Sequence, residues 1–400
     1  MLDIGTRPDS LSVYKLFKYM RKHLSCGGCC GEIEVDFAGE ANLSSSFLIK
    51  ASQYYEYKMG HSPDKACESF FGYNSVLPGA YSMFRWQAIQ GRPLQEFFRG
   101  LKMSELSCAE ANKFLAEDRI MCLEIFIKQN CSYYLTYVPD AKAFTDAPGS
   151  LAVLIKQRRR WMNGSLFGTY HVIKNTVHVL SCNRTRHGRC FKCGFSFFMI
   201  YYILSFTLSF FILGAMYTVI TVFFQDYLSK LIEAILGEDN EELIVEITGY
   251  VNAFLNYFYI ALAFCSVVVS LTRPVERGIW MFKVVMIIFG ICMYVTLGGI
   301  LYFLISTGFY PEILYYQRYS KWSHTGLHNF SYLVLAGTIM MVVFIAPFLL
   351  RPMDAMQNLW RYVVGLFSYL FLMPTFINIM QIYAFCNLHD ISWGNRPATS

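Results

Sequence analysis

Two hydrophobic regimes divide the chain. Residues 1–190 mix charge with short apolar periodicities, whereas from Phe195 onward long apolar stretches alternate with short polar ones. In the first regime Val13, Leu16, Phe17, Met20 and Leu24 repeat at helical spacing behind Asp9 or Ser10 as cap, and Gly27-Gly28 ends that helix. Cys30 to Phe37 alternates as a strand does. Residues 44–59 return to helix, with Phe47, Ala51, Tyr54, Tyr55 and Lys58 on one face, and Tyr133 to Val138 reads as a further strand. Asp146 and Pro148 then start a long helix. Helices alternating with strands predict an α/β domain over residues 1–175. In the second regime five segments, at about 195–223, 250–271, 280–305, 330–350 and 359–386, approach or exceed the ~20 residues needed to cross a bilayer core. An α-helical transmembrane domain over 195–386 follows, joined to the first by a basic juxtamembrane linker at 176–194.

Composition agrees, since 55% of the 400 residues are hydrophobic and 17% aromatic, above the roughly 45–50% apolar content of soluble domains. The net charge of +6 is modest. Much of it sits at Lys156 to Arg160 and Arg184 to Lys192, ahead of the first apolar segment. That bias places residues 1–190 in the cytosol, and five crossings then put the tail 387–400 on the extracytoplasmic side. Residues 11–24 are lysine-rich and amphipathic, unlike a signal peptide. No base-reading motif accompanies the basic clusters, so nucleic acid is not the partner expected; a lipid bilayer is. The thirteen cysteines, several in the cytosolic part, do not read as a disulfide framework. Cys182, His187, Cys190 and Cys193 fit no zinc-finger spacing well and read as unpaired thiols.

Candidate chemistry begins in the long helix, at Gln157-Arg158-Arg159-Arg160-Trp161. Gln157, Arg160 and Trp161 share a helical face. An amide, a guanidinium and an indole suit a ligand with both diphosphate and sugar; the same basic run also suits lipid headgroups ahead of a membrane segment. Asp3-Ile4-Gly5-Thr6 sets a carboxylate at a glycine turn, as a cation ligand or as an ordinary capped turn. Glu117-Asp118-Arg119 opens a helix, where acids serve either as N-cap or as reacting groups. Pro78-Gly79 imposes a turn that lets a sugar approach the backbone, or is simply structural.

Taken in order, Leu2-Asp3-Ile4-Gly5-Thr6-Arg7-Pro8, Gly31-Glu32-Ile33, Gln53 to Lys58, Ser75 to Ser82, Glu117-Asp118-Arg119, Gln157 to Trp161, Arg273-Pro274 and Ser392-Trp393-Gly394 make the chain similar to the chitin synthases, membrane-embedded family 2 glycosyltransferases. The resemblance covers nearly the whole chain. It implies the C-terminal part of a GT-A-like glycosyltransferase domain followed by a polymer channel. It also implies UDP-N-acetylglucosamine as donor and a growing chitin chain as acceptor, with transfer to the terminal 4-hydroxyl and inversion. Asp3 would hold a divalent cation, Mg or Mn, on the diphosphate, Asp118 would be the general base and Glu117 would orient it. Gln157, Arg160, Trp161, Pro78 and Gly79 would bind substrate, with Arg158 and Arg159 facing lipid or nucleotide. Ser392, Trp393 and Gly394 would lie at the channel exit. Trp280, Tyr294, Tyr302, Trp360 and Tyr383 are available to line that channel.

The resemblance further implies residence in the plasma membrane or secretory vesicles, and a homodimer is a family expectation. The chain departs from the family pattern at both ends: Met1-Leu2-Asp3 leaves no room for the nucleotide-binding half upstream, and the sixth crossing is missing. The resulting expectation is a chain truncated at the N-terminus and at the C-terminus, without a complete donor site and inactive alone. Two other readings stand beside it, a synthase of another β-linked polysaccharide and a non-catalytic membrane partner of a full-length synthase.

Overall fold

The structure, a computed structural model, describes all residues except 38–39, 41–42, 101–105, 181–184, 238–240, 310–323 and 393–400. Its first half folds as β1 (Arg7–Pro8), α1 (Ser12–Lys22), β2 (Cys26–Val35), α2 (Ser45–Met59), a π-helical turn (Gly60–Lys65), α3 (Ala66–Phe70), β3 (Ser82–Phe84), α4 (Trp86–Ile89), α5 (Arg92–Arg99), α6 (Cys108–Lys113), α7 (Glu117–Phe126), β4 (Tyr134–Thr145) and α8 (Leu151–Leu180). The strands form one mixed sheet in the order β1-β4-β2-β3, with β2 parallel to β4 and the other pairs antiparallel.

The central strand differs from its expected bounds. It begins at Cys26 rather than Cys30, and the glycines expected to end α1 lie inside it. All ten of its residues are buried, because α1 covers one face and the α7 core the other; a strand covered on both faces has no alternation to read. A Cβ at Gly31 would come within 2.1 Å of the Ala141 carbonyl oxygen, at the bulge between Gly31 and Glu32. β4 runs on past Val138 to Thr145. The Ser44 hydroxyl caps α2 by accepting from Phe47 N–H, and Tyr54 and Tyr55 are core residues against Tyr362.

The second half is helical: α9 (Arg189–Ser209), α10 (Ile212–Leu236), α11 (Glu241–Thr272), α12 (Val275–Phe309), α13 (His324–Leu350), α14 (Pro352–Gln357), α15 (Leu359–Pro374), a second π-helical turn (Thr375–Met380) and α16 (Gln381–Cys386). Among the described residues four helical segments are long and apolar enough to cross a membrane: Arg189–Ser209, Glu242–Thr272, Val275–Leu301 and Leu359–Cys386. Ile212–Val222 and Thr338–Leu350 are shorter apolar helices. The first expected span, 195–223, is therefore two helices interrupted at Phe210-Phe211, where hydropathy gives no sign of a break.

The last apolar segment meets the first domain at both ends. α15 packs along α2, with Gly365 so close that a Cβ would stand 3.1 Å from the Ala51 carbonyl oxygen. On its other side Tyr294 of α12 donates to the Phe367 carbonyl at 2.8 Å. Before it, Asp354 is tied to Lys58 of α2 and Lys142 of β4. After it, Asn112 of α6 donates to the Leu388 carbonyl at 2.7 Å. Both flanks of 359–386 thus meet the first domain, and the tail, expected on the opposite side, returns to it. The channel aromatics do not share a lining: Tyr383 packs on Phe282, Trp280 and Trp360 are exposed, and the Tyr302 side chain lies outside the described set.

Candidate functional site

The N-terminal turn docks on the Ser75 to Ser82 loop. Leu2 bridges Tyr81, Asp3 N–H donates to the Ala80 carbonyl at 3.2 Å, and Thr6 N–H closes onto the Asp3 carbonyl at 3.1 Å around Gly5, whose φ of +91° favours glycine. The loop itself is pinned at three points. Ser75 N–H donates to Glu68 at 3.1 Å, Lys65 Nζ to the Val76 carbonyl at 2.6 Å, and Leu77 N–H to Cys122 Sγ at 3.2 Å. The Tyr81 N–H to Pro78 carbonyl bond, 3.1 Å, makes Pro78-Gly79 a turn.

That turn faces the start of α7. The Asp118 carboxylate accepts from Arg119 N–H at 2.9 Å and from the Gly79 backbone. α8 crosses here at close range, because a Cβ at Gly164 would meet Ala116 at 2.8 Å and one at Gly168 would meet Arg119 at 3.2 Å. Arg160 and Asp3 both act electrostatically on Glu117. Asp3, Gly79, Glu117, Asp118 and Arg160 therefore converge on one mouth, with Gln157 one turn back on the same half-buried side of α8 as Arg160. The Gln157 Oε1 is buried without a protein partner, an acceptor left for a ligand hydroxyl.

The two acids differ. Burial first, then the Asp118 and Asp3 charges, push the Glu117 carboxyl up to about 7, against the pull of Arg160. Burial also raises Asp118, but Arg119 and the two backbone N–H groups oppose the shift, and donors to a carboxylate favour its charged form. Of the two, Glu117 is the acid poised near neutrality. A raised carboxyl contributes stability that is complete below its unfolded value, here 4.5, and lost as pH rises through about 7. Glu117→Gln is expected to unfold later than the parent at pH 8, by on the order of 2 kcal/mol, and to lose that advantage by pH 5. Equal offsets at the two pH values, in detergent-phase thermal unfolding, would sink the assignment.

Arg158 and Arg159 face neither lipid nor nucleotide. Arg158 donates both terminal nitrogens to Glu56 at 2.7 Å and lies over the Trp161 ring at 4.3 Å. Arg159, 1% exposed, ion-pairs with Asp390 at 2.7 Å and donates to the Ser392 carbonyl and hydroxyl at 2.6 and 3.2 Å. A guanidinium sealed in protein needs such partners. Ser392 is thus beside the Gln157 to Trp161 helix rather than at a channel exit; Trp393 and Gly394 lie outside the described residues. Sequence reasoning missed Glu56, although Gln53 to Lys58 was in view; the aromatic residues around it drew the attention.

Two places offer carboxylates to a cation. Glu32, Glu34 and Asp354 bring ligand-capable oxygens within 4.8 Å of one another. Lys58 Nζ already stands between all three, at 2.7, 2.8 and 2.6 Å, with Lys142 on Glu34 and Asp354 and Arg351 on Glu32. Three cationic side chains balance three carboxylates, and this cluster does not fit a metal. Asp3 is exposed beside the mouth and pairs with no lysine or arginine among the described residues, and a small divalent ion usually takes one or two protein carboxylates plus phosphate and water.

Paired acids at the start of α7 beside a helix-borne arginine, followed by helices long and apolar enough to cross a membrane, suit a membrane-associated glycosyltransferase. A family model for the chitin synthase-like glycosyltransferase domain matches residues 1–176. Among curated relatives, chitin synthase 2 of Mycosarcoma maydis is 34% identical over 100% of this chain and 37% of its own length. Chitin synthase 2 of Cryptococcus neoformans is 32% identical over 99% of this chain and 41% of its own, and chitin synthase 1 of Gibberella zeae 33% over 99% and 43%. The chain belongs to the chitin synthase-like glycosyltransferases. It spans about two fifths of the length of these relatives.

Proposed function

We propose that this chain carries the acceptor side of a chitin synthase, transferring N-acetylglucosamine from UDP-N-acetylglucosamine to the 4-hydroxyl of a growing β-1,4 chain with inversion. The observation that carries this reading is the acid pair at one mouth, Glu117 pushed up to about 7 beside an Asp118 carboxylate that accepts from Arg119 N–H at 2.9 Å and from the Gly79 backbone. Asp118 takes the proton from the attacking hydroxyl. Glu117 keeps it oriented and, when neutral, adds no second charge. Arg160 faces the departing diphosphate, while Trp161, braced by Arg158, offers its open face to the terminal sugar. Asp3 would hold a divalent cation, Mg or Mn, which would supply neutralisation of the diphosphate charge. The apolar helices lead the product away from the mouth into the bilayer, with the catalytic face cytosolic by the flanking positive charge.

The test is incorporation of labelled sugar by membranes containing the full chain, with UDP-N-acetylglucosamine and UDP-glucose in separate and mixed reactions. Chitinase-sensitive product from the first donor alone supports the reading. Glucose incorporation points to another β-linked polymer, and donor binding without turnover to a non-catalytic partner of a full-length synthase.

A further inference from the structure

Cys190 and Cys193 take no part in the transfer site, and both are exposed free thiols near the start of α9. At about 100° per residue around a helix, Cys190, Cys193, Phe197, Ile200, Tyr201 and Leu204 fall within one narrow stripe, and all six are exposed. The other side of α9 is core: Phe195, Phe198 and Met199 are buried against Tyr73 and Phe126. Since Arg189–Ser209 is long and apolar enough to cross a bilayer, the uncovered stripe of large apolar side chains meets acyl chains. The two thiols stand at its end nearest the glycosyltransferase domain. That end is fixed there by His187, which stacks on Phe126 at 4.8 Å, and by Phe191, which closes on Gly72. Arg186 and Arg189 are exposed beside the thiols and attract anionic headgroups.

We propose that Cys190 and Cys193 are S-acylation sites that receive a long-chain fatty acyl group from acyl-coenzyme A. The thiol sulfur attacks the thioester carbonyl carbon, a carbon–sulfur bond to the protein forms, the bond to the coenzyme sulfur breaks, and coenzyme A leaves as a thiol carrying the proton. No oxidant or reductant is consumed. The attached chain continues the apolar stripe into the bilayer, pinning the first turns of α9 at the headgroup level beneath the catalytic domain.

The alternatives at these residues are weaker. A zinc site would need His187, whose Nε2 is within 3.1 Å of the Phe126 carbonyl and whose ring lies between Phe126 and Phe191; Cys182 lies outside the described residues. Other exposed thiols lack the setting. Burial and the Glu68 and Asp64 carboxylates push the Cys67 thiol up, and Cys108 donates to the Leu388 carbonyl.

The test is metabolic labelling of the full chain in eukaryotic cells with an alkynyl palmitate, read after coupling to a fluorophore, with and without hydroxylamine. Hydroxylamine-sensitive label on the parent, reduced at least tenfold in Cys190→Ser/Cys193→Ser and unchanged in Cys67→Ser/Cys108→Ser, is expected. Because both thiols are exposed, serine disturbs no packing, and carbonate extraction checks that the double variant remains membrane-inserted. An unlabelled parent, or label retained by the inserted double variant, overturns the proposal. Neither outcome depends on which sugar the enzyme transfers.

Discussion

Lys58→Met is expected to lower the apparent unfolding temperature by about 10 °C near neutral pH, corresponding to roughly 3–5 kcal/mol for breaking a buried charge cluster. Glu32, Glu34 and Asp354 are 0%, 5% and 8% exposed, and the Lys58 ammonium touches each. Methionine preserves the apolar stem but leaves three buried carboxylates with Lys142, Arg351 and the Tyr362 hydroxyl as their remaining side-chain donors. Burial alone would raise Glu34 and Asp354, yet Lys58, with Lys142 beside it, holds both carboxyls below their ordinary values. A depressed carboxyl contributes stability above its unfolded pKa and loses it as pH falls through the folded value. Without Lys58 those carboxyls protonate more readily, so the deficit shrinks as pH falls towards 5. Lys58→Met/Glu34→Gln removes one charge of each sign and is expected to recover part of the loss. A Lys58→Met protein melting within about two degrees of the parent would show that Lys142 and Arg351 suffice.

The same cluster explains what the domain boundary conceals in the sequence. Lys58 lies on α2, two residues from Glu56, which holds Arg158, and next to Tyr57, whose ring lies 6.4 Å from that of Trp161. Asp354 belongs to the short helix between the last two long apolar segments, 296 positions along the chain. Helix α2 therefore takes the membrane-side strap on one turn and braces the acceptor helix on another. A division at residue 175 marks a change in composition but not a mechanical joint.

Periodicity located α2 and α8, whose starts carry polar signals such as the Ser44 cap. It failed where the environment is symmetric. β2 is covered on both faces, and the break at Phe210-Phe211 interrupts a stretch that is apolar throughout. Charge bias misplaced the tail for a different reason. Counting apolar segments assumes that each one crosses, whereas Leu359–Cys386 lies against α2 and brings Asp390 and Ser392 back to Arg159. The acids were legible because Glu117 and Asp118 are adjacent. Their proposed division of labour comes in the sequence from the resemblance alone, since its geometry depends on the backbone of Gly79, 39 positions away, and on the glycines that seat α8 against Ala116 and Arg119.

Asp118→Asn, the near-isosteric change that removes the base, is expected to cut turnover by about 10²–10⁴-fold while leaving the donor KM within a few-fold of the parent. In the proposed role the carboxylate acts on the acceptor hydroxyl, so its loss falls on the chemical step. Asparagine can still accept the Gly79 and Arg119 amides, which keeps the turn and α7 in place. The parent's turnover falls on the acid side of its profile as Asp118 gains a proton. Glu117→Gln mimics the neutral acid that Glu117 becomes below about pH 7, and is expected to leave that acid limb in place while turnover at the plateau drops less than in Asp118→Asn. The pair of profiles separates the roles: an orienting neighbour leaves the limb where it is, whereas exchanging the roles would make Glu117→Gln the more damaging change at every pH. If Asp118→Asn keeps more than about a tenth of parental turnover at its optimum, the proton leaves by another group, and Glu117, poised near neutrality, becomes the base.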